Sequence, residues 1–337
     1  MLSYILKGEK YMRIIVPSVE IMRTGLGKDV DILPEQFIEK VGRTCYKSED
    51  KITDDSAAKF VGNLIKRGHE AMIEHWSLIF KTDAGSFNTF KSDWNLLLQG
   101  SNIPLDERLR PYLRFTDYYM GSGEIRYIIS GNMRALRDYA KACIDGFGSM
   151  PTYMWGMIRN YPLFFPEFQD YVPAVFVNNI LIPVPVCELS EAERLVHQDV
   201  TVKFVCDRGV SHEMVRHRVA SFAQESTRYC NYGNDKFGSE ITVVRPSWCA
   251  TGEDKYEAWL GGCYAAESAY FTMLADGATP QEARSVLPNS LKTEIIVTMN
   301  LDGWDHFFGL RCAEGAHPDM REVATMAREL FEAECLR

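Results

Sequence analysis

The sequence predicts an α+β protein with a mixed or antiparallel sheet flanked by helices. Three runs rich in β-branched residues, at 12–22, 201–204 and 293–299, have the composition of strands. Between them, apolar residues recur at the three- and four-residue spacing of amphipathic helices. Hydrophobic residues make up 46% of the 337 residues, which is enough for a sizeable core. We therefore expect a single domain over 1–337, with a large ordered insertion at about 82–198.

The first third of the chain reads as strand, two helices and strand. The strand-like run begins at Met12, which is an alternative start to Met1. Pro34 stands at a favourable first helical position, and a second helix is expected from about Asp55 to a stop at Gly68. The run 76–81 is again strand-like.

The predicted insertion is rich in aromatic residues and prolines and contains no low-complexity run. Within it, residues 126–142 predict a strand followed by a helix. The strand–Asn–helix pattern around Asn132 resembles the one around Asn300. Because the likeness is a single short one, it favours shared turn chemistry over an internal repeat.

The last part of the chain predicts two strands and several helices. Asp207 is a natural N-cap for a helix that we expect to reach His217. A long helix is expected at about 256–276, Asp302 can cap the next one, and Pro318 can open the last. On the helix after Asp207, the spacing predicts an i, i+3, i+4 polar stripe at Glu213, Arg216 and His217.

Charge and cysteine usage exclude several classes of protein. The net charge of −9 argues against binding bulk nucleic acid or an anionic membrane. Nine cysteines without a CxxC pair fit reduced thiols better than a disulfide framework or a zinc site. With no signal peptide and no apolar run of about 20 residues, we expect a soluble cytoplasmic protein.

The segment RHRVASFAQESTRY, from Arg216 to Tyr229, is the most informative feature of the chain. It concentrates guanidinium, imidazole, hydroxyl and amide groups in an otherwise acidic protein. Guanidinium groups bind phosphates and uracil-like carbonyls in a fixed fork geometry. A local basic cluster of this kind predicts a site for an anionic, nucleotide-like ligand.

Three segments, in order, resemble the flavin-dependent thymidylate synthases of the ThyX family. They are GHEAMIEHWSLIF (68–80), the RHR-x7-S motif ending at Ser226, and the stretch 283–311. With their flanking helices they cover about two thirds of the chain. The resemblance implies a ThyX-like fold and synthesis of dTMP from dUMP. Methylenetetrahydrofolate would be the carbon donor and NADPH would reduce FAD, in sites between the subunits of a homotetramer.

The resemblance also implies which residues bind each ligand. It places dUMP on two stretches and two further arginines, namely Glu213, Met214, Val215, Arg216, Gln224, Glu225, Ser226, Thr227, Arg228, Arg284 and Arg311. It places FAD on His69, Ala71, Arg216, His217, Arg218, Gln224, Asn300, Leu301, Asp302 and His306. The family commonly has a hydroxyl residue where Ala71 stands and a basic residue where Asp302 stands, and Arg134 is a candidate replacement for that cation.

The chemistry fits these residue types. Arg311 would stabilise the negative charge that develops on the uracil ring, which makes it the predicted catalytic residue. Arg228, Arg284 and the Ser226 hydroxyl can donate to the nucleotide phosphate. Because no base accompanies Ser226 in the motif, we interpret it as a ligand and not as a nucleophile. Reduced flavin supplies hydride, so no cysteine nucleophile is required.

Alternative interpretations exist for each feature. Arg-His-Arg could be a solvated helix end, Arg311 could pair with Asp305 or Glu314 on the surface, and Trp304, Phe307 and Phe308 read as core. The His69–His75 segment lacks the HExxH spacing of a metal site. At the level of function, the alternatives are a flavoprotein that only oxidises NADPH and a non-catalytic nucleotide- or RNA-binding module.

Overall fold

A computed structural model describes residues 12–26, 31–99, 112–120, 123–172, 181–228, 230–233 and 239–336. Tyr229, at the end of the Arg-rich segment, lies outside these ranges. The strands are β1 (Arg13–Ile15), β2 (Ser18–Arg23), β3 (Ser77–Thr82), β4 (Leu113–Tyr119), β5 (Ile125–Asn132), β6 (Ile182–Pro183), β7 (Asp199–Asp207), β8 (Ser221–Gln224), β9 (Thr242–Val244) and β10 (Lys292–Asn300).

The helices are interspersed among these strands along the chain. They are α1 (Pro34–Tyr46), α2 (Ser56–Lys66), α3 (Ala84–Gln99), α4 (Met133–Phe147), α5 (Trp155–Asn160), α6 (Glu191–His197), α7 (Arg208–Met214), α8 (Asp254–Ala275), α9 (Pro280–Ala283), α10 (Leu301–Arg311) and α11 (Pro318–Ala333). Short 3-10 helices include Glu70–His75, called the 70–75 turn below, and Arg284–Val286.

In the described ranges the strands form two four-stranded antiparallel sheets and one parallel pair. The first sheet has the order β2-β7-β10-β8, the second has the order β4-β5-β3-β6, and β1 pairs with β9. The prediction of an α+β protein with antiparallel sheets is thereby confirmed. The second sheet is built from β3 and three strands that lie inside the predicted insertion.

Local sequence explains where several helices begin, and it also corrects two predictions. Pro34 opens α1, and the Asp207 side chain accepts the Val210 N–H at 2.6 Å, as expected. The cap of α10 is Asn300, whose side chain accepts the Gly303 N–H at 3.0 Å; the prediction of Asp302 as cap was wrong. Asn300 ends β10 with extended backbone, so it reaches the free N–H groups first.

The helix after Asp207 is shorter than predicted. It ends at Met214, and the chain turns at Val215, so Arg216 and His217 lie in a turn beyond the helix and not on a helical stripe. This turn lets the His217 ring pack 4.8 Å from the ring of Phe307, where it is buried. The apolar contact and the hydrogen bonds of His217 replace the helical continuation.

The first sheet is covered by helices on both faces. On one face α7, α10 and α11 bury a cluster that includes Trp304, Phe307 and Phe308, confirming their interpretation as core. On the other face α1 packs against β8, and the cluster there continues without a break into the second sheet. Within the described ranges, no helix combines the length and apolar character that crossing a membrane requires.

The two four-stranded sheets repeat one arrangement. Ser77 at the start of β3 pairs in register with Asn132 at the end of β5, as Asp199 of β7 pairs with Asn300 of β10. Both asparagines then cap the helix that follows. The N–H of the next residue donates to the residue before the paired strand, Met133 to Trp76 (2.8 Å) and Leu301 to Gln198 (3.2 Å).

Equivalent hydrogen bonds of the two units also join one sheet to the other. His75, just before β3, bonds through Nδ1 to Thr298 of β10, and His197, before β7, bonds through Nδ1 to Ser130 of β5, both at 2.7 Å. Ser77 donates to Asp199 between the two equivalent strand starts. The likeness around Asn132 and Asn300 therefore marks a structural repeat, and its interpretation as shared turn chemistry was too narrow.

Burial of the two crossing histidines predicts a pH-dependent stability. Burial lowers the pKa of both His75 and His197 to about 3. The unfolded chain therefore binds these protons first, as the pH falls below about 6.5. We expect the free energy of unfolding to fall between about pH 6.5 and pH 3, by up to about 1.4 kcal/mol per pH unit for each histidine.

Urea unfolding at about pH 7 and pH 5.5 tests this expectation. His197→Gln should show a shallower dependence on pH than the wild type. The exposed His212 provides the matched control, and His212→Gln should keep the wild-type slope. Equal slopes in the two variants would contradict a buried neutral His197.

Candidate functional site

Two helix ends bring Arg311 to the turn that carries Arg216–Arg218. Arg311 Nε donates to His217 Nε2 at 2.7 Å, its Nη1 lies 2.9 Å from Glu213 Oε2, and its Nη2 donates to the Glu213 carbonyl at 3.0 Å. Arg311 thus forms its ion pair with Glu213, which the sequence analysis assigned to the same dUMP site. The alternative interpretation, a surface pair with Asp305 or Glu314, does not describe this contact. The guanidinium is held on three sides while its side chain stays 20% exposed.

The electrostatics around Arg311 keep His217 neutral. Burial, Arg311 and His306 together lower the pKa of His217 to about 4. A neutral Nε2 can accept the Arg311 N–H, which requires the proton of the ring to be on Nδ1. Arg216 and Arg218, on either side of His217, are exposed to solvent. This turn therefore places two solvent-exposed guanidinium groups on either side of one neutral, buried imidazole.

A second group of predicted residues lies at the other end of α7. Arg284 Nη1 donates to the Thr227 hydroxyl at 3.4 Å, and Arg228 Nε donates to Gln281 at 3.2 Å. The Gln224 amide donates to Ser211 on α7 at 2.8 Å, which ties the end of β8 to this helix. Thr227 and Arg284 line one cavity with Arg208, the first residue of α7, whereas Arg311 contacts Glu213 near the last residue of that helix.

The loop that carries Ser226 is fixed by a buried ion network that the sequence analysis missed. Lys292 Nζ lies 2.8 Å from Glu225 Oε2 and 2.6 Å from Glu294 Oε1, and Lys47 also pairs with Glu294. Burial alone would raise the pKa of Glu294, but Lys292 and Lys47 lower it to about 2. The alternation Lys292-Thr293-Glu294 in a β-branched run is the signal that could have placed both charges on one face of β10.

Backbone hydrogen bonds complete the support of this loop. The Glu225 N–H donates to the Glu294 carbonyl at 2.8 Å, and the Ser226 N–H donates to the Cys45 carbonyl at 3.1 Å. Ser226 Oγ accepts the Arg228 N–H at 3.4 Å, and no histidine or carboxylate bonds to this hydroxyl in the described part of the chain. That environment suits a hydroxyl that binds a ligand, since a nucleophilic serine needs an adjacent base.

The remaining predicted residues are spread over both sheets. Asn300 caps α10 and donates to the Val196 carbonyl at 3.0 Å, while Asp302 and His306 are exposed on α10. Met214 and Leu301 are buried in the core and contribute packing, whereas Val215 is 41% exposed. His69 and Ala71 are exposed at the 70–75 turn, and no described contact joins them to Asn300, Asp302 or His306.

His69 lies at the rim of a basic cavity between α1 and α2. The cavity has a volume of about 500 Å³, and its lining includes no Asp or Glu. Its basic lining residues are Arg43, Lys51, Lys59, Arg67 and His69. This set of cationic donors fits an anionic ligand with a diphosphate, the kind of group that FAD carries.

Comparison with known proteins bears on the second half of the chain. Residues 190–335 match the profile of a family described as "Thymidylate synthase complementing protein". This stretch belongs to that family. It holds the Arg311 group, the Ser226 loop and the first sheet apart from β2. The 70–75 turn with His69 and Ala71 lies outside the matched residues, although it carries one of the three segments that resemble the family.

Curated relatives give the same family. A flavin-dependent thymidylate synthase from Geobacter sulfurreducens is 43% identical over 117 residues, covering 35% of this chain and 49% of the relative. The enzyme of that name from Pyrococcus furiosus is 39% identical over 133 residues, covering 39% of this chain and 54% of the relative. The chain thus spans about half the length of the curated relatives that it matches.

The ion network predicts a large cost for removing its central lysine. Lys292→Met would leave Glu225 and Glu294 close together and without their shared cation. We expect the free energy of unfolding to fall by about 3–5 kcal/mol, as measured by urea unfolding. Lys255→Met is the control, because Lys255 forms a solvent-exposed pair with Glu253 and should change stability by less than about 1 kcal/mol. Similar losses in the two variants would show that the network contributes little.

Proposed function

We propose that this protein is a flavin-dependent thymidylate synthase that converts dUMP to dTMP. The observation that carries the proposal is that every residue assigned to dUMP lies within the stretch 190–335 that matches the family profile, and the curated relatives bear the name of that enzyme. The co-substrates would be methylenetetrahydrofolate and NADPH. Bound FAD would supply the hydride that completes the methyl group.

The two groups of residues at the ends of α7 have complementary roles in this proposal. Arg284, Arg228 and the hydroxyls of Ser226 and Thr227 form the end that suits a nucleotide phosphate, because they combine charge-assisted donors with neutral ones. At the opposite end, Arg311 would face the uracil ring. Loss of the N3 proton leaves negative charge on the ring oxygens, and a cation fixed in advance stabilises it.

Glu213 and His217 would act through Arg311 as positioning residues. A guanidinium on a flexible side chain must give up rotational freedom when it binds, and the hydrogen bonds to Glu213 and His217 fix it before the nucleotide arrives. The neutral state of His217 matters here, because a protonated imidazole would repel Arg311 and could not accept its N–H.

The assembly is part of the same proposal. We expect a homotetramer with sites shared between subunits, in which His69 and Ala71 complete a site together with residues from a second copy. In support, within the described part of one chain no contact joins these two residues to Asn300, Asp302 or His306. The predicted single domain over 1–337, with 82–198 as an insertion, and a cytoplasmic location also remain proposals.

The first test is release of tritium from dUMP labelled at C5. Replacement of the C5 hydrogen by a methyl group must release that label, so we expect release that requires methylenetetrahydrofolate, NADPH and FAD. Oxidation of NADPH without release would favour the flavoprotein alternative. Binding of dUMP or RNA without bound FAD would favour the non-catalytic alternative.

Substitution of Arg311 tests its role at the ring. Arg311→Ala should lower kcat by at least about a hundredfold, the typical effect of removing one donor from a developing oxyanion. Arg321→Ala removes a guanidinium on α11, outside the proposed site, and should retain near wild-type turnover. Near-normal turnover of Arg311→Ala would remove the basis for assigning this residue to catalysis.

Ser226→Ala separates a ligand from a nucleophile. If Ser226 only donates to the phosphate, the KM for dUMP should rise by about tenfold, the loss expected for one hydrogen bond to a charged group, while kcat stays measurable. Complete loss of tritium release with intact dUMP binding would instead support a nucleophilic serine.

A further inference from the structure

The internal repeat defines two equivalent units in the chain. The first unit runs from the 70–75 turn through β3, β4 and β5 to α4, and the second runs from α6 through β7, β8 and β10 to α10. The strand registers and the crossing histidines equate His75 with His197, Ser130 with Thr298, and Asn132 with Asn300. Other equivalent residues are found by counting the same number of residues from one of these three pairs in each unit.

This equivalence relates Arg134 to Asp302. Each stands two residues after its capping asparagine, on the first turn of α4 or α10. In the same way His69 and Ala71, six and four residues before His75, correspond to Glu191 and Glu193 before His197. The first unit therefore has a histidine and an arginine where the second unit has two acidic residues.

The helix that packs against the 70–75 turn, which follows His69, is α4 and not α10. The first turn of α4 packs against the 70–75 turn, where Arg134 Nη1 lies 2.6 Å from Glu74 Oε1. In the second unit α10 packs against α6 instead, and the N–H of Leu301 donates to Gln198. The asparagine and charged residue beside the 70–75 turn, which His69 precedes, are thus Asn132 and Arg134, and not Asn300 and Asp302.

Tyr112 links the surroundings of Arg134 to the segment that follows the Arg-His-Arg turn of the second unit. The Tyr112 hydroxyl donates to the carbonyl of Ala220, two residues after Arg218, at 2.9 Å. Burial raises the pKa of Tyr112, Glu74 raises it further and Arg134 lowers it, so both charges act on this hydroxyl. Tyr112 therefore joins β4 of the first unit to the chain just before β8 of the second.

Arg134 has two carboxylate partners but remains partly exposed, so an N–H of its guanidinium is accessible to a ligand. Glu74 contacts its Nη1, Asp138 lies 3.6 Å from its Nε, and its side chain is 39% exposed. Burial raises the pKa of Asp138 to about 6, against the effect of Arg134, and the long distance from Nε makes this carboxyl a weaker partner than Glu74. Glu70 pairs at 3.3 Å with the buried Arg137.

We propose that Arg134, in place of Asp302, is the cation of the first helical turn that binds the diphosphate of FAD, in a site shared with His69. The first unit is then a diverged copy of the second, retained because it supplies this half of the cofactor site. The proposal rests on the proposed function, since it assigns residues to the cofactor of that reaction.

Direct measurement of FAD binding to the full chain tests the assignment, with quenching of flavin fluorescence as the readout. Arg134→Gln should raise the Kd for FAD by about tenfold to a hundredfold, the loss expected for a charge-assisted hydrogen bond. Lys141→Gln removes one positive charge from an exposed position of the same helix and should stay within about twofold of the wild type. Asp302→Asn should change the Kd far less than Arg134→Gln.

Two further outcomes keep the test decisive. Glu74→Gln leaves Arg134 in place and removes its carboxylate competitor, so it should tighten FAD binding even if Arg134→Gln folds poorly. Equal affinities in Arg134→Gln, Lys141→Gln and the wild type, with normal tritium release, would overturn this inference alone. A wild-type protein that binds no FAD would overturn both the inference and the proposed function.

Discussion

The register between β7 and β10 is the constraint on which the rest of the structure depends. Asp199 pairs with Asn300 and Asp207 pairs with Lys292, so each strand ends where the other begins. Asp207 and Asn300 then cap helices that start at opposite ends of the sheet and run back over the same face. Their carboxyl ends converge, which is why Arg311 meets Glu213 and His217. A shift by one residue would turn each side chain to the other face and separate these groups.

Polar contacts hold this register against the second sheet. Asp199 accepts from Ser77 and lies 2.8 Å from Arg114, while His75 and His197 each reach a hydroxyl on the opposite sheet. Buried polar groups of this kind are costly when they lack partners, so only one mutual placement of the two sheets satisfies them. The apolar cluster that spans both sheets supplies the burial, and the polar contacts specify the alignment.

Local features were predictable from the sequence, and long-range ones were not. The starts of α1 and of the helix after Asp207 depend on a proline and a cap that the sequence displays. The cap of α10 was assigned to Asp302 because composition does not reveal which residue ends the strand. The second sheet was missed because β3 pairs with β5 across a long connection. The Arg-rich segment identified the site, but its contacts with Arg311 and Lys292 depend on strand register.

The repeat explains how one chain can combine binding residues with structural ones at equivalent positions. Glu193, the counterpart of Ala71, forms the capping box of α6 with Ser190 and lies 3.4 Å from Arg126. Arg114, the counterpart of Ser221, holds Asp199 at the boundary between the sheets. Equivalent positions can therefore carry different roles, and under our proposal Ala71 lies at a ligand site while its counterpart Glu193 stabilises the fold. The acidic residue at Asp302 is consistent with the same division of roles, because the proposed cofactor site would take its cation from Arg134, the equivalent position on α4.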